Sequence, residues 1–266
     1  QISIESDIPF NPAEVDDKWN NWVFAVELGG WFNGEESVKS MNLWSSLSAD
    51  KVTPKWKISI GAFSNYNENK FVIDNSTITG LTQSHSISGL LVKSLGEHWS
   101  AGGWGSVYSS LFDNIEASYK ITPAIEYNLF PYSESTRKQL RFLYKIGYNY
   151  NYYNDTTIFN KLQEDLFEES FSIALELKKT WGSISNTITG SNYLHDFSQN
   201  SLQLRTSFNV RLFKGLSAFL SGNIRLIRNQ RFLPKEGASE EDIFLRQREL
   251  STQYSYWGNA GITYTF

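Results

Sequence analysis

The sequence predicts an all-β protein: a closed, antiparallel transmembrane β-barrel of about twelve strands. Three observations predict it. The first is alternation, clearest in the closing GNAGITYTF, where Ala260, Ile262, Tyr264 and Phe266 are apolar and Asn259, Gly261, Thr263 and Thr265 are small or polar. A strand with this pattern shows one set to lipid or a core and the other to water. The second is length. An alternating segment of about eleven residues, rising roughly 3.3 Å per residue and tilted near 40°, covers about 25 Å, the height of a lipid-facing band. A soluble strand is usually about half as long. The third is composition: aromatic residues make up 15% of 266, with nine Trp and fourteen Tyr, yet the mean hydropathy is negative. Lipid-exposed strands combine these properties because every second residue can be polar.

Taken in order, strands are expected over roughly 20–32, 37–48, 55–66, 78–94 and 98–110. The sixth is NIEASYKITPAIEYNL, residues 114–129, with Ile115, Tyr119, Ile121, Ile125 and Tyr127 on one face and Glu116, Lys120, Thr122 and Glu126 on the other. The seventh, LRFLYKIGYNYNY (140–152), sets Phe142, Tyr144, Ile146 and Tyr148 against Arg141, Lys145, Gly147 and Asn149. Weaker strands follow at 168–179 and 182–194, then LQLRTSFNVRL (202–212), with Leu204, Phe208 and Val210 opposed to Arg205, Asn209 and Arg211. The last two run over 216–228 and 250–266. The fourth and ninth are ambiguous in phase. Lipid is expected to meet Ile115, Tyr119, Ile121, Phe142, Phe208, Leu220 and Ile262.

The links are expected to alternate. SLGEH, KKTWG and FKG are tight, whereas the third-to-fourth link, NDTTIFNKLQEDLFEE and NQRFLPKEGASEEDIFLRQRE are long. Short turns on the periplasmic side and long loops outside are the habit of outer-membrane barrels. That topology places Trp22, Trp56, Trp99, Tyr132, Trp181, Phe213 and Phe266 at periplasmic strand ends, as an aromatic girdle. Both chain ends then fall on the periplasmic side.

Other classes are narrowed by what the sequence lacks. It has no run of eighteen apolar residues for a spanning helix and no cysteine for disulfides or thiol chemistry. No signal peptide opens at Gln1, as expected of an exported protein in mature or trimmed form. A net charge of −4 gives no reason to expect nucleic acid. Two regions are distinguished: residues 1–18 as an acidic N-terminal segment or linker, and 19–266 as the barrel. The former carries Glu5, Asp7, Glu14, Asp16 and Asp17, with Pro9 and Pro12 favouring an extended path. It is either a tether or a cover for the periplasmic mouth.

Catalytic signals are thin. Hydrolytic barrels need a His beside Asp, Asn or Ser. His98 falls at a turn and His85 in an ambiguous strand, while His195 is followed by Asp196 in an outer loop; adjacent strand residues point to opposite faces, so this pair is expected to cap a loop. Neither metal-ligand spacing nor a Gly-rich phosphate loop occurs, so no metal or cofactor is expected. SEEDIF reads as a short helix start, with Ser239 as N-cap and Asp242 at the third position.

The expected lumen wall says more. Its charged residues are Lys55, Lys57, Lys120, Arg141, Lys145, Lys178, Arg205, Arg211 and Arg225 against Glu27, Glu116, Glu126 and Glu176, nine basic to four acidic. Such a wall suits an anion-preferring pore or a filled barrel whose charges pair internally. Twelve strands give a backbone diameter of roughly 24 Å, and long inward side chains leave roughly 10 Å or nothing. Trp44, Trp104, Tyr108 and Trp257 also point inward and favour a narrowed lumen. A non-enzymatic accessory or structural subunit, or an anchor for a periplasmic domain or larger assembly, therefore ranks ahead of a small-solute channel, and a hydrolase comes third. The expected partners are outer-membrane lipid and other outer-membrane or periplasmic proteins.

Several stretches also carry a resemblance: WFNGEES (31–37), LLVKSLGEHWS (90–100), IEYNLFPYSESTRKQL (125–140), NYLHDFSQNSLQLR (192–205), VRLFKGLS (210–217), and the end from LPKEGASEED to YWGNAGITYTF. Together they resemble an uncharacterised family of outer-membrane proteins in Bacteroidota and related phyla, over most of residues 19–266. The resemblance implies fold and location and brings no activity. It also implies a periplasmic domain upstream and a short Asn-rich extension after the last strand, so the ends of this sequence are not read as the ends of the natural chain.

Overall fold

The computed structural model describes residues 17–73, 76–237, 239 and 247–266. Their architecture is all-β, a single sheet of twelve antiparallel strands in strict sequence order. The strands are β1 (Trp22–Gly34), β2 (Val38–Val52), β3 (Trp56–Ile73), β4 (Ser76–Ser94), β5 (Trp99–Ser110), β6 (Ile115–Asn128), β7 (Lys138–Tyr153), β8 (Gln163–Lys179), β9 (Gly182–Tyr193), β10 (Asp196–Phe213), β11 (Leu216–Ile227) and β12 (Tyr254–Tyr264). Since each strand pairs antiparallel with the next, β1 begins and β12 ends at the same end of the sheet. β1 and β12 are its two edges among the described residues.

Register sorts the side chains into two faces, because directly opposed residues share one. Ile121 faces Gly105 on β5 and Tyr148 on β7, while Lys120 faces Ser106 and Asn149. Carried across all the pairings, one face is apolar and the other polar. The apolar face is open: Leu28, Ile60, Ile87, Ile121, Phe171, Ile188, Leu220 and Ile262 are all exposed. Its rings form a continuous row in which Trp99 lies 4.8 Å from Tyr127, Tyr127 6.4 Å from Phe142, and Phe142 6.5 Å from Phe171.

Four of the five buried apolar side chains gather elsewhere. Tyr153, Leu166, Ile227 and Leu233, with polar Asn114, Thr157, Glu164 and Arg231, lie at the end of the sheet opposite the β1 start. Described parts of the link between β11 and β12, residues 228–237 and 247–253, meet that end. Ile158 donates its N–H to the Leu233 carbonyl at 2.8 Å, Lys235 its N–H to Thr156 at 2.8 Å, and Glu249 its N–H to Phe112 at 3.0 Å. The segment after β11 thereby ties to the links between β5 and β6 and between β7 and β8, and caps the end.

Several expectations change. The third-to-fourth link is short, because β3 and β4 continue to Ile73 and from Ser76. The link between β6 and β7, at the end where the tight links fall, holds a 3-10 turn at Tyr132–Glu134. Link lengths therefore do not alternate cleanly; the long spans at the capped end are those after β7 and β11. A register shift between Ile115 and Ala117 puts Ile115 opposite Tyr153 on the polar side, so Ile115 leaves the apolar face, and exposed Glu116 sits in the bulge. Residues 1–16, on which most of the acidic segment falls, and the SEEDIF helix start from residue 240 lie outside the described residues.

Candidate functional site

The polar face is where the chain concentrates its charge. Glu27, Lys57, Lys120, Glu126, Arg141, Lys145, Glu176, Lys178, Arg205, Arg211 and Arg225 all fall on it by register. Lys55 does not, because it lies in the link before β3. Three acids missed by the sequence reading join them: Asp50, opposite Ser59; Glu164, opposite Asn151; and Glu168, opposite Gly147. The two glutamates are the second and sixth residues of β8, which begins at Gln163, before the residue 168 expected from the alternation. Setting aside the register shifts at Ile115–Ala117 and Asp196–Asn200, the strands' polar face carries eight basic and six acidic residues, so most of the expected excess disappears.

The pairing is local. On β6 to β8, Arg141 Nη2 lies 2.7 Å from Glu176 Oε1, Arg141 Nη1 3.9 Å from Glu126 Oε2, and Lys120 pairs with Glu168. Gly147 makes room for the last pair: a Cβ there would stand 3.2 Å from both Glu168 Cγ and Thr122 Oγ1. Lys145 Nζ sits 5.3 Å over the Trp104 ring, across from β5. A second cluster locks the cap. Arg231 donates to Glu164 through Nη2 at 2.6 Å and to Gln199 through Nη1 at 2.7 Å, Tyr153 donates to Glu164 at 2.7 Å, and the guanidinium lies 4.3 Å over Phe159. Both ionic partners are buried, so the bidentate geometry and the Tyr153 bond offset their desolvation.

On β9 to β12 the picture differs. Arg205, Arg211 and Arg225 form no ion pair with any described residue. Beside Arg205, Gln203 donates to Asn223 at 2.6 Å, whereas the Arg225 charge reaches Glu249 in the link before β12 and opposes the rise of that carboxyl's pKa.

The ends of the strands place the aromatic set. Trp22, Trp56 and Trp99 start β1, β3 and β5, Trp181 lies in the link after β8, Phe213 ends β10 and Phe266 follows β12, all at the uncapped end. Tyr132 differs: it sits in the 3-10 turn with its hydroxyl buried. Tyr127, tilted against Trp99, occupies the apolar face there.

Among the described residues each histidine has its own surroundings. Asp196 accepts from Ser198 N at 3.0 Å, Ser198 Oγ at 2.6 Å and Gln199 Nε2 at 2.8 Å, so it caps its own turn. His98 Nδ1 lies 2.8 Å from the Asn128 carbonyl. The structure does bring Ser64 Oγ within 2.9 Å of His85 Nδ1 on the apolar face. Among the described residues no third side chain hydrogen-bonds that histidine, so the orienting member of a triad is missing. No group of three or more His, Cys, Asp or Glu among the described residues could hold a metal.

No protein-family model and no curated protein matches the chain. Among solved structures, the NanC porin in a rhombohedral crystal form is similar, with 7% identity, 91% of this chain and 100% of that chain covered, and a TM-score of 0.38. A likeness that weak settles neither closure nor role.

Proposed function

We propose that this chain is an integral outer-membrane β-barrel of a Gram-negative bacterium, closed by β12 pairing with β1, and that it serves as a non-enzymatic accessory or structural subunit or anchor. The observation that carries the reading is the apolar face, exposed on strand after strand and far larger than a water-soluble surface tolerates. Hydrocarbon requires every backbone group to be paired, so the two edges must meet each other. They are suited to it. Both are apolar on the same face, with Phe24, Val26 and Leu28 on β1 and Ala260, Ile262 and Tyr264 on β12, and strands of opposite direction pair directly.

A subunit or anchor is favoured over an open pore by the cap, which fastens the segment after β11 across one end through a buried ion pair. The uncapped end, with its aromatic ring set, is read as periplasmic. The resemblance to the Bacteroidota family agrees with this placement. A small-solute channel is the second reading, favoured by Arg205 and Arg211 on the polar face of β10, which form no ion pair with any described residue. Planar-bilayer recording separates the two. The wild-type chain should be silent, and Arg231→Met, which unfastens the cap, should conduct; steady anion-selective current from the wild type would replace the subunit reading with the channel.

A further inference from the structure

We infer that the apolar face carries a seat for one anionic glycerophospholipid, with the headgroup at Lys93 and an acyl chain in a groove floored by Gly89 and Gly105. The inference rests on the barrel reading, which turns this face to lipid.

Two adjoining cavities of about 630 and 650 Å³ form the groove and share Ile60, Gly89, Gly105 and Ile121. Those four residues are one row of the sheet, with Ile60 opposed to Gly89, Gly89 to Gly105 and Gly105 to Ile121. Neighbouring strands lie about 4.8 Å apart, so the two isoleucines wall a gap of roughly 14 Å between their backbones. By contrast, the row Phe142, Ile173, Ile188, Leu204 and Ile224 is filled from β7 to β11. Nothing local demands the two glycines. Neither has a positive φ, and a Cβ at either would meet nothing within 4 Å. Glycine inside a strand weakens it and often marks the close approach of a ligand.

Depth and charge select the occupant. From the Lys93–Ala101 row at the uncapped end to the Ile87–Val107 row is six residues, roughly 20 Å of strand and about 15 Å of depth at a tilt near 40°. That is half of a hydrocarbon core of about 30 Å, the reach of one leaflet. The next row holds Ser64, His85 and Ser109, with Ser64 Oγ 2.9 Å from His85 Nδ1, so the apolar floor stops there. A spanning helix would need the full thickness. At the shallow end Lys93 Nζ lies 5.4 Å over the Trp56 ring, both residues line the groove, and Lys93 enters no ion pair with any described residue. An ammonium at the level of an interfacial Trp attracts a headgroup of net negative charge. A second copy of the chain fits poorly, since a two-fold contact sets groove against groove and lysine against lysine.

Native mass spectrometry of the full chain, stripped of lipid in detergent and titrated with phosphatidylglycerol or phosphatidylcholine, tests this. One phosphatidylglycerol should bind about fivefold tighter than phosphatidylcholine. Lys93→Gln should remove that preference, and Gly105→Leu or Gly89→Leu should abolish the single tight adduct with either lipid. Lys51→Gln, at a lysine that sits over Trp22 outside the groove, should change neither. Equal binding of the two lipids, indifference to Lys93→Gln or to both leucine substitutions, an equal effect of Lys51→Gln, or a dimer that Gly105→Leu dissociates overturns the seat. The same samples run unheated and heated on a gel report the barrel separately. Absence of a heat-dependent shift in the wild type sinks the barrel reading, whereas a shifted protein without the lipid preference sinks only the seat.

Discussion

Ser207 and Phe208 are adjacent on β10 and face opposite sides, Ser207 opposed to Ser221 and Phe208 to Leu220. The same insertion should have unequal effects at the two positions. In lipid vesicles Phe208→Arg should lose about 2–4 kcal/mol of folding free energy and Ser207→Arg much less, read from denaturant unfolding; equal losses would mean that the faces are wrongly assigned. Ile121 and Thr122, the pair that alternation alone suggests, make a poorer test. Thr122 is only 6% exposed and stands against the position beside Gly147, so a long side chain there disturbs packing as well as polarity. Gly147 itself leaves little room for a side chain. Gly147→Leu would overlap Glu168 and Thr122 and cost about 1–3 kcal/mol, seen as a lowered unfolding midpoint. At this scale alternation made most faces legible. It failed at Ile115, because a one-residue bulge reverses phase without altering composition, and it hid Glu164 and Glu168, because the acid-rich QEDLFEES reads as a loop until its register with β7 is seen.

The cap is the element with most at stake. Arg231 and Glu164 are 67 residues apart in the chain, and no local pattern announces their meeting. The sequence did mark a long link after β11; it could not mark where that link docks, since docking depends on the shape of the end it crosses. Arg231→Met leaves Glu164 buried and unpaired and should cost about 3–5 kcal/mol. Protease nicking between β11 and β12 should then precede global unfolding. Docking should also respond to pH. Burial raises the Glu249 carboxyl above its ordinary value, and the nearby Asp113 raises it further, against a lowering hydrogen bond from Gln230. Since the docked state holds this proton more tightly than the free segment does, its contribution is full below the ordinary carboxylate range and is lost as pH rises through the elevated value. Nicking should therefore be slower at pH 5 than at pH 8, and Glu249→Gln should flatten the difference; an unchanged profile in that variant would place the sensitivity elsewhere.

For the whole molecule, strand number and direction follow from alternation and turn positions, whereas closure depends on the twist and curl accumulated over all the strands, which no single segment encodes. The charge balance is a second global property. Counting inward positions from the sequence gives a basic lumen, but the glutamates on β6 to β8 equal the basic residues there in number, which leaves the excess on β9 to β12. A barrel closed at the β12–β1 seam, with its capped end outward, remains the central claim. Hydrogen exchange of the β1 and β12 amides in reconstituted vesicles tests it most directly. If Val23–Phe32 and Tyr256–Ile262 are protected as strongly as the middle of β7, the two edges are paired with each other; if they exchange freely while β5 to β10 stay protected, the sheet is open and the barrel account is wrong.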